Sequence, residues 1–210
     1  DTEVLVHLYE DVGDQLVDRL CGMFAFALVD VQAQRLVLAR DRLGQKPLNY
    51  CITRDGTVAF ASELSALLRY PGVQRRLDRQ ALSDYFALGY IPAPRTIFEG
   101  VAKLPPAAVL SVAFAAETAR VRRYWQPGFE PKERIAFRDA AVRTRELLDA
   151  AVCKRLESEV PLGAFLSGGL DSTVITAIMQ RHLSEPVRAF TIGFAEPRYD
   201  ERAYAALAAA

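Results

Sequence analysis

The order of apolar and polar residues changes character partway along the chain, and the first part favours β-structure. Residues 21–30 (CGMFAFALVD) and 35–41 (RLVLARD) are apolar runs of the length of a strand. Both alternate faces of residues 21–30 are apolar, which predicts a strand that is covered on both sides. The turn Arg54-Asp55-Gly56 lies between two further apolar runs and is typical of a β-hairpin. We therefore expect antiparallel sheet in this part of the chain.

Short helices and two more strands complete the first part. The first helix is predicted by four apolar side chains at helical spacing, which are Val4, Leu5, Leu8 and Tyr9. Ser62 and Asp78 are candidate N-caps of two later helices, and Gly89 is the expected end of the second one. Residues 109–112 and 121–125 resemble edge strands. The first part is therefore expected to mix helix and antiparallel sheet.

The apolar period changes from two to 3.6 after a stretch rich in proline and glycine at residues 127–132. We place the domain boundary there, with one domain over residues 1–126 and the next over 127–210. The elements predicted in the second domain are a helix over 147–156, a buried strand over 162–166, a helix over 172–182 and a strand over 187–194. Because a helix joins the two strands, we expect them to lie in a parallel α/β sheet.

Composition narrows the range of functions. The chain has 26 basic and 26 acidic residues and a formal charge of zero, so we expect neither nucleic acid nor a membrane surface among its partners. Its apolar stretches are shorter than the roughly 20 residues that a membrane span requires. Cys21, Cys51 and Cys153 are far apart, which argues against a disulfide framework and a zinc site and fits a reducing cytoplasm. Both ends of the sequence look cut, and we expect an internal piece of a longer protein.

The pattern with the clearest chemistry is Ser-Gly-Gly-Leu-Asp-Ser at residues 167–172, between a predicted strand and a predicted helix. Such a turn offers unpaired N–H groups and the positive end of a helix dipole, which together bind phosphate. The two glycines let the backbone come close to a ligand, and the two serine hydroxyls can add donors. Asp171 is unsuited to an anion site unless a cation accompanies the phosphates, and Mg²⁺ is the expected cation.

The sequence excludes two other kinds of nucleotide-binding loop and leaves one structural alternative. It is not a Walker-type loop, since no Lys-Ser or Lys-Thr pair follows, and the GxGxxG spacing of dinucleotide-binding folds is missing. A glycine-rich turn in which Asp171 or Ser172 caps the following helix is the structural alternative.

A group of charged residues follows the strand at 35–41. Its members are Arg40, Asp41, Arg42 and Lys46. We expect them to form a buried structural ion network rather than a catalytic site.

The Ser-Gly-Gly-Leu-Asp-Ser motif resembles the pyrophosphate-binding loop of the N-type ATP pyrophosphatases. The blocks before it are GMFAFAL, LARDRLGQKPL, FASEL, DYFALGYIPAPRTIFEG and KLPP, and those after it are FTIGF and YDERAYA. In this order they are similar to proteins that combine a class II glutamine amidotransferase with an asparagine synthetase. One departure is that KLPP continues with Ala107-Ala108, where the family usually has Gly-His.

This resemblance implies a fold of α+β plus α/β type. The first domain would be the C-terminal part of an Ntn-type antiparallel β-sandwich glutaminase. The second would be the start of a doubly wound, parallel-sheet ATP-pyrophosphatase domain of the HUP-like kind.

The resemblance also implies site residues. Those expected to bind ATP and its pyrophosphate are Leu166, Ser167, Gly168, Gly169, Asp171, Ser172 and Ile192. Asp171 would hold Mg²⁺, and Asp1 would bind the amino group of glutamine, although Asp1 also suits a helix N-cap. In the family, a cysteine at the N-terminus hydrolyses glutamine. No cysteine stands at a terminus here, so we assign no catalytic residue and expect the chain alone to be inactive.

The implied reaction is an ATP-dependent, AMP-forming amidation of aspartate to asparagine with ammonia from glutamine. Glutamine, aspartate and ATP would be the partners, Mg²⁺ a cofactor, and a homodimer the assembly to test. The alternatives are an amidotransferase of exopolysaccharide or exosortase systems, a ligase resembling β-lactam synthetase, and a non-catalytic nucleotide-binding remnant.

Overall fold

The chain folds as two units, Asp1–Phe129 and Glu130–Ala210, in a computed structural model that describes residues 2–114 and 119–210. The helices of the first unit are α1 (Glu3–Val12), α2 (Leu16–Arg19), α3 (Leu64–Leu67) and α4 (Arg79–Leu88), with a 3-10 turn at Gly13–Gln15. Its strands are β1 (Ala25–Asp30), β2 (Arg35–Arg40), β3 (Asn49–Ile52), β4 (Val58–Ala61), β5 (Val101–Lys103), β6 (Ala108–Ala113) and β7 (Ala119–Arg123).

Two antiparallel sheets form the centre of the first unit. The larger sheet has the strand order β1-β2-β6-β7, and the smaller one has the order β4-β3-β5. All the pairings in both sheets are antiparallel. The expectation of helix mixed with antiparallel sheet is therefore confirmed.

The alternation of side chains along β2 explains how the sheets are covered. Leu38 packs with residues of β3 and β4, so its face of the larger sheet meets the smaller sheet. Val37 points to the opposite face and packs with α1 and α2. Cys51 of β3 lies on the outer face of the smaller sheet, against α3. Burial of each side chain of this size stabilises the folded state by about 1.5–3 kcal/mol. The layers of the first unit follow the order helix, sheet, sheet, helix.

Several predicted elements of this unit are confirmed. The four apolar residues at helical spacing near the start of the chain lie in α1. The hairpin around Arg54-Asp55-Gly56 joins β3 to β4. Asp78 caps α4, since its Oδ1 accepts hydrogen bonds from the N–H groups of Gln80 (2.8 Å) and Ala81 (3.1 Å). Gly89 ends that helix with a left-handed φ of 78°.

Other predictions for this unit are wrong. Residues 109–112 are not an edge strand, because β6 lies between β2 and β7. The strand β1 is fully covered on one face only: Phe26 packs in the core with α1 and α2, whereas on the other face Ala25 packs between the sheets but Val29 is 57% exposed. Ser62 does not cap α3, which has Glu63 at its N-cap position and no side-chain cap. Apolar periodicity identifies a strand but not its neighbours, and this explains the first two errors.

The carboxylate of Asp41 organises the turn that follows β2. This side chain is 1% exposed. Its Oδ1 accepts hydrogen bonds from the N–H groups of Leu43 (3.2 Å) and Gln45 (2.9 Å). Its Oδ2 accepts from the N–H groups of Lys46 (3.0 Å) and Phe24 (3.3 Å). Burial raises the pKa of the Asp41 carboxyl, but the N–H donors outweigh burial and hold that pKa below its ordinary value.

Arg40 makes the complementary set of contacts. Its Nε donates to the carbonyl of Lys46 (2.7 Å), and its two terminal nitrogens donate to the carbonyls of Leu104 (2.6 Å) and Gly44 (2.7 Å). No ion pair among the described side chains involves Arg40, Asp41 or Lys46, so the expected ion network is wrong in its bonding. The charges of Arg40 and Asp41 are met by backbone groups instead. Arg42 and Lys46 are exposed, so the expected burial of the whole group is wrong as well.

Ala107 occupies the position where the resemblance led us to expect glycine. Its φ is 54°, in the left-handed region that favours glycine. Its N–H donates to the carbonyl of Asp41 (2.9 Å), and its carbonyl accepts from the N–H of Tyr124 (2.8 Å). These two bonds hold the turn before β6 in place although the residue is alanine.

The second unit contains a parallel pair of strands joined by a helix. Its elements are α5 (Phe137–Cys153), β8 (Gly163–Phe165), α6 (Leu170–His182), β9 (Arg188–Phe190), a 3-10 turn at Pro197–Tyr199 and α7 (Arg202–Ala209). Strands β8 and β9 pair in parallel, which confirms the predicted strand, helix and strand. The expectation that the first of these strands is buried is wrong, since Phe165 is 80% exposed and only Ala164 of β8 lies in the core. The predicted helix over 147–156 is the later part of α5, which begins at Phe137. The core consists of Val152, Ala164, Ile178 and Met179.

No helix in the described part of the chain combines the length and the apolar composition that a membrane span requires.

We expect Asp41→Asn to lower the free energy of unfolding of the first unit by about 2–3 kcal/mol. An amide keeps one acceptor oxygen but presents N–H₂ to two of the four N–H donors. Urea unfolding, monitored by the fluorescence of Trp125, measures this change. Trp125 reports on the turn because its ring centroid lies 5.7 Å from Cζ of Arg42, the residue next to Asp41. Asp11→Asn, at an exposed position of α1, is the control and should show no loss.

The effect of Asp41→Asn should also depend on pH. Because the folded-state pKa of Asp41 is depressed, its contribution is present above the unfolded-state pKa of about 4 and is lost as the pH falls through the folded-state pKa. The two proteins should therefore converge in stability at low pH. A difference that stays constant across this range would contradict the assignment.

Candidate functional site

The Ser-Gly-Gly-Leu-Asp-Ser segment connects β8 to α6 and is tied to the end of β9. The N–H of Leu166 donates to the carbonyl of Phe190 (2.9 Å), and the carbonyl of Leu166 accepts from Oγ1 of Thr191 (2.5 Å). These bonds extend the parallel pairing by one residue beyond each strand. The segment therefore starts from a fixed position at the carboxyl end of the sheet.

The two serines of the segment bind each other. Their Oγ atoms are 3.0 Å apart. Oγ of Ser172 accepts from the N–H of Ser167 (3.3 Å) and donates to the carbonyl of Gly169 (3.2 Å). Oγ of Ser167 accepts from the N–H of Gly169 (3.3 Å). The hydroxyls therefore fix the shape of the loop from inside, a role that the sequence did not predict.

Gly168 is held in a conformation that excludes a side chain. Its φ is +77°. A Cβ at this position would lie 2.6 Å from Cβ of Tyr204 and would overlap the backbone carbonyl of the same residue. The backbone of α7 thus packs directly on the loop. Gly169 differs, since its φ of −71° and ψ of 161° are extended and suit any residue.

The other side of the loop faces solvent. Gly169 and Asp171 are exposed. The first turn of α6 begins at Leu170, and the N–H groups of a first turn have no acceptor within the helix. The first hydrogen bond of that turn runs from the N–H of Thr173 to the carbonyl of Gly169 (3.0 Å). Open amides and the positive end of the helix dipole therefore meet at one exposed point.

Asp171 lies in the first turn of α6 without a partner among the described residues. Neither it nor Ser172 caps the helix, whose N-cap residue is Gly169 and which has no side-chain cap. The structure thus does not show the capped turn that was the structural alternative. A carboxylate at this position is available to a cation that accompanies phosphates. No group of three or more His, Cys, Asp or Glu side chains that could hold a metal occurs in the described part of the chain.

The remaining predicted ligands have different surroundings. Leu166 is 2% exposed, and its N–H and carbonyl are both hydrogen-bonded to the end of β9. Ile192 is 66% exposed and follows Thr191, the residue that binds the carbonyl of Leu166. The structure therefore brings the backbones of these two positions together at the ends of the two strands. Asp1 lies outside the described residues.

Sequence reasoning missed two contributors to the site. Thr191 ties the strand ends together, and Tyr204 supplies the backbone against which Gly168 rests. Both lie in blocks that the family resemblance had identified, FTIGF and YDERAYA, but neither of these two residues was given a role. A polar residue directly after the apolar run of β9 was the available signal for Thr191.

We expect Gly168→Ala and Gly169→Ala to differ. Alanine at Gly168 must adopt a left-handed φ and collide with α7, which should destabilise the second unit by about 2 kcal/mol or more. Alanine at Gly169 fits the backbone and should cost under about 1 kcal/mol. Amide hydrogen exchange of peptides from α6 measures both. Equal effects would show that α7 does not rest on Gly168 in solution.

Two family models match the chain, one after the other. A glutamine amidotransferase domain model matches residues 1–125, and an asparagine synthase model matches residues 143–210. The first therefore covers more than half of the chain, and the second includes the whole loop between β8 and α6.

The curated relatives are named asparagine synthetases, and their names also describe them as glutamine-hydrolysing. The chain is 41% identical over 202 residues to "Asparagine synthetase [glutamine-hydrolyzing] 3" of Bacillus subtilis, which covers 93% of the chain and 32% of that protein. It is 35% identical to "Putative asparagine synthetase [glutamine-hydrolyzing] 2" of Methanocaldococcus jannaschii, over 97% of the chain and 40% of that protein. It is 34% identical to "Asparagine synthetase [glutamine-hydrolyzing]" of Zea mays, over 88% of the chain and 26% of that protein.

The chain thus spans between 26% and 40% of the length of these relatives. Each of these relatives matches the chain across both the amidotransferase part and the synthase part. The loop with its open amides lies inside the matched part. The chain belongs to the family of glutamine-hydrolysing asparagine synthetases.

Proposed function

We propose that the complete protein converts aspartate to asparagine, using ATP and the ammonia released from glutamine. The observation that carries this proposal is the exposed amino end of α6, which follows a strand of a parallel pair and has a free carboxylate in its first turn. Relatives over the same residues are named asparagine synthetases. Glutamine, aspartate and ATP are the proposed substrates.

The layers of the first unit support the finer fold proposal. A helix, sheet, sheet, helix order with antiparallel strands suits an Ntn-type glutaminase domain, here its C-terminal part. The parallel β8-α6-β9 unit suits the start of a doubly wound ATP-pyrophosphatase domain of the HUP-like kind. We propose residues 1–126 and 127–210 as the two domain segments.

In the proposed reaction, the loop holds the phosphate tail of ATP. The open amides of the first turn of α6 bind the β and γ phosphates, while Gly169 and the two serines keep the loop in shape. As the resemblance implies, Leu166 and Ile192 would lie beside adenine, and of the two Ile192 is the exposed residue. Mg²⁺, held by Asp171, would supply positive charge to the phosphates.

The chemistry at the loop is a displacement followed by an amide synthesis. The side-chain carboxylate of aspartate attacks the α-phosphorus, and the bond to the bridging oxygen breaks to release pyrophosphate. Ammonia then attacks the resulting β-aspartyl adenylate at its carbonyl carbon, AMP leaves, and a proton is released. The loop contributes by positioning and by neutralising charge on the leaving pyrophosphate.

For the glutaminase reaction we propose no nucleophile among the cysteines of this chain. Cys51 is buried, and burial raises the pKa of its thiol, which disfavours the reactive thiolate. Cys21 and Cys153 are exposed and free. Asp1 remains the proposed ligand of the amino group of glutamine.

We expect Asp171→Ala to weaken Mg²⁺-dependent ATP binding by this chain about tenfold or more. The matched control is Asp139→Ala, because Asp139 also lies exposed in the first turn of a helix of the same unit. The control removes the same charge from a helix that lacks the glycine loop. Titration calorimetry measures both variants. If both variants weakened ATP binding equally, the effect of Asp171→Ala would be a general effect of charge and not evidence for a metal-binding role of Asp171.

The reaction itself is tested with the complete protein. With aspartate, ATP and either glutamine or ammonia, the protein should produce asparagine, AMP and pyrophosphate in equal amounts. Nuclear magnetic resonance identifies the products, and a phosphate-release assay measures the pyrophosphate. Production of ADP and phosphate would contradict the AMP-forming mechanism. Turnover with another acceptor but not with aspartate would contradict the proposed substrate.

A further inference from the structure

The YDERAYA block at residues 199–205 has no role in the function proposed so far, although it lies beside the loop. It contains the start of α7, where Asp200 and Arg202 form a tight pair. Nε of Arg202 donates to both oxygens of Asp200, at 2.8 and 3.0 Å. Its Nη2 donates to Oδ2 (2.7 Å), and its backbone N–H donates to Oδ1 (3.3 Å). The carboxylate of Asp200 therefore binds the N–H of the first residue of α7 and also fixes the side chain of that residue.

This pair reaches the end of β9. The side chain of Arg202 covers Gly193, since a Cβ at Gly193 would lie 2.7 Å from both Cδ and Nε of Arg202. Hydrogen bonds from Arg202 lower the pKa of Asp200, as does the backbone N–H of Phe194. Asp200 thus contacts the turn after β9 directly, and Arg202 lies across the same turn. The beginning of α7 is fastened to the segment that follows Ile192.

The next turn of α7 reaches the loop. Tyr204 presents its backbone to Gly168, while its side chain is 66% exposed. Ala205 is buried, so α7 rests on the unit through its backbone and small side chains. Moving the start of α7 would therefore release Gly168 from its support.

We propose that the Asp200–Arg202 pair is a positioning device that presses α7 against Gly168 and thereby sets the affinity of the loop for a polyphosphate. The inference rests on the proposed ATP-binding role of the loop. Neither side chain needs to touch the nucleotide. The pair acts because the loop can present its amides together only while Gly168 keeps its left-handed conformation.

A direct electrostatic role of Arg202 in phosphate binding predicts a different result from the positioning role, so mutations can distinguish the two roles. If Arg202 simply attracted phosphate, then Arg202→Ala would weaken ATP binding, whereas Asp200→Asn would remove a repelling charge and strengthen it. If the pair positions α7, both substitutions weaken binding. Arg202→Lys keeps the charge but loses the forked geometry, so positioning predicts that it fails to restore affinity.

The experiment compares these three variants in the 210-residue chain. Calorimetry with Mg²⁺ and ATP, and separately with AMP, gives two affinities. We expect each variant to lose about fivefold or more in ATP affinity with AMP affinity unchanged. AMP lacks the β and γ phosphates that the loop would hold. The matched control is Arg198→Ala, because Arg198 is about as exposed as Arg202 and forms a similar pair with Glu196 (2.7 Å), whose carboxylate is more exposed than that of Asp200.

Hydrogen exchange gives a readout that needs no ligand. In the variants, peptides that contain Gly168 and peptides from α7 should exchange faster than in Arg198→Ala. Unchanged exchange, a gain of ATP affinity in Asp200→Asn, or equal losses of ATP and AMP affinity would each overturn the inference. Failure of the unaltered chain to bind ATP, with exchange at Gly168 still faster in the variants, would instead overturn the proposed function of the loop.

Discussion

The close approach of the α7 backbone to Gly168 is the constraint on which the second unit and its proposed site depend. A residue with a Cβ fits neither the φ of +77° nor the space left by Tyr204. This contact joins elements that are distant in sequence, because the loop follows β8 and α7 comes after β9. The strand ends, the loop and the last helix therefore form one connected structure, which fixes the position of the open amides at the start of α6.

The two units treat unpaired backbone N–H groups at a strand end in opposite ways. After β2, four N–H groups converge on the carboxylate of Asp41, so the anion is supplied by the chain and the turn is closed. After β8, the side chains that hydrogen-bond within the loop are two serine hydroxyls, and the amides of the helix start have no side-chain cap. The same physical chemistry gives a structural turn in one case and a candidate ligand site in the other.

Sequence reasoning found what depends on local pattern. The hairpin at Arg54-Asp55-Gly56, the Asp78 cap and the parallel β8-α6-β9 unit follow from residue types at fixed spacing. The positions of β1 and β6 in their sheet do not, because pairing partners are chosen by tertiary packing. The same limit applies to the site. Its glycines and Asp171 are recognisable, whereas the support from Tyr204 requires knowledge of how a later helix packs.

The charges at the loop explain why a cation belongs in the proposed site. The loop carries no lysine, and the amino end of α6 supplies the equivalent of only about half a positive charge. Asp171 adds a negative charge to a site for a phosphate tail that is itself strongly anionic. Without a further cation, the carboxylate would repel the ligand that the amides attract. A metal ion bound by both the carboxylate and the phosphates turns that repulsion into a bridge, which makes Asp171 useful there.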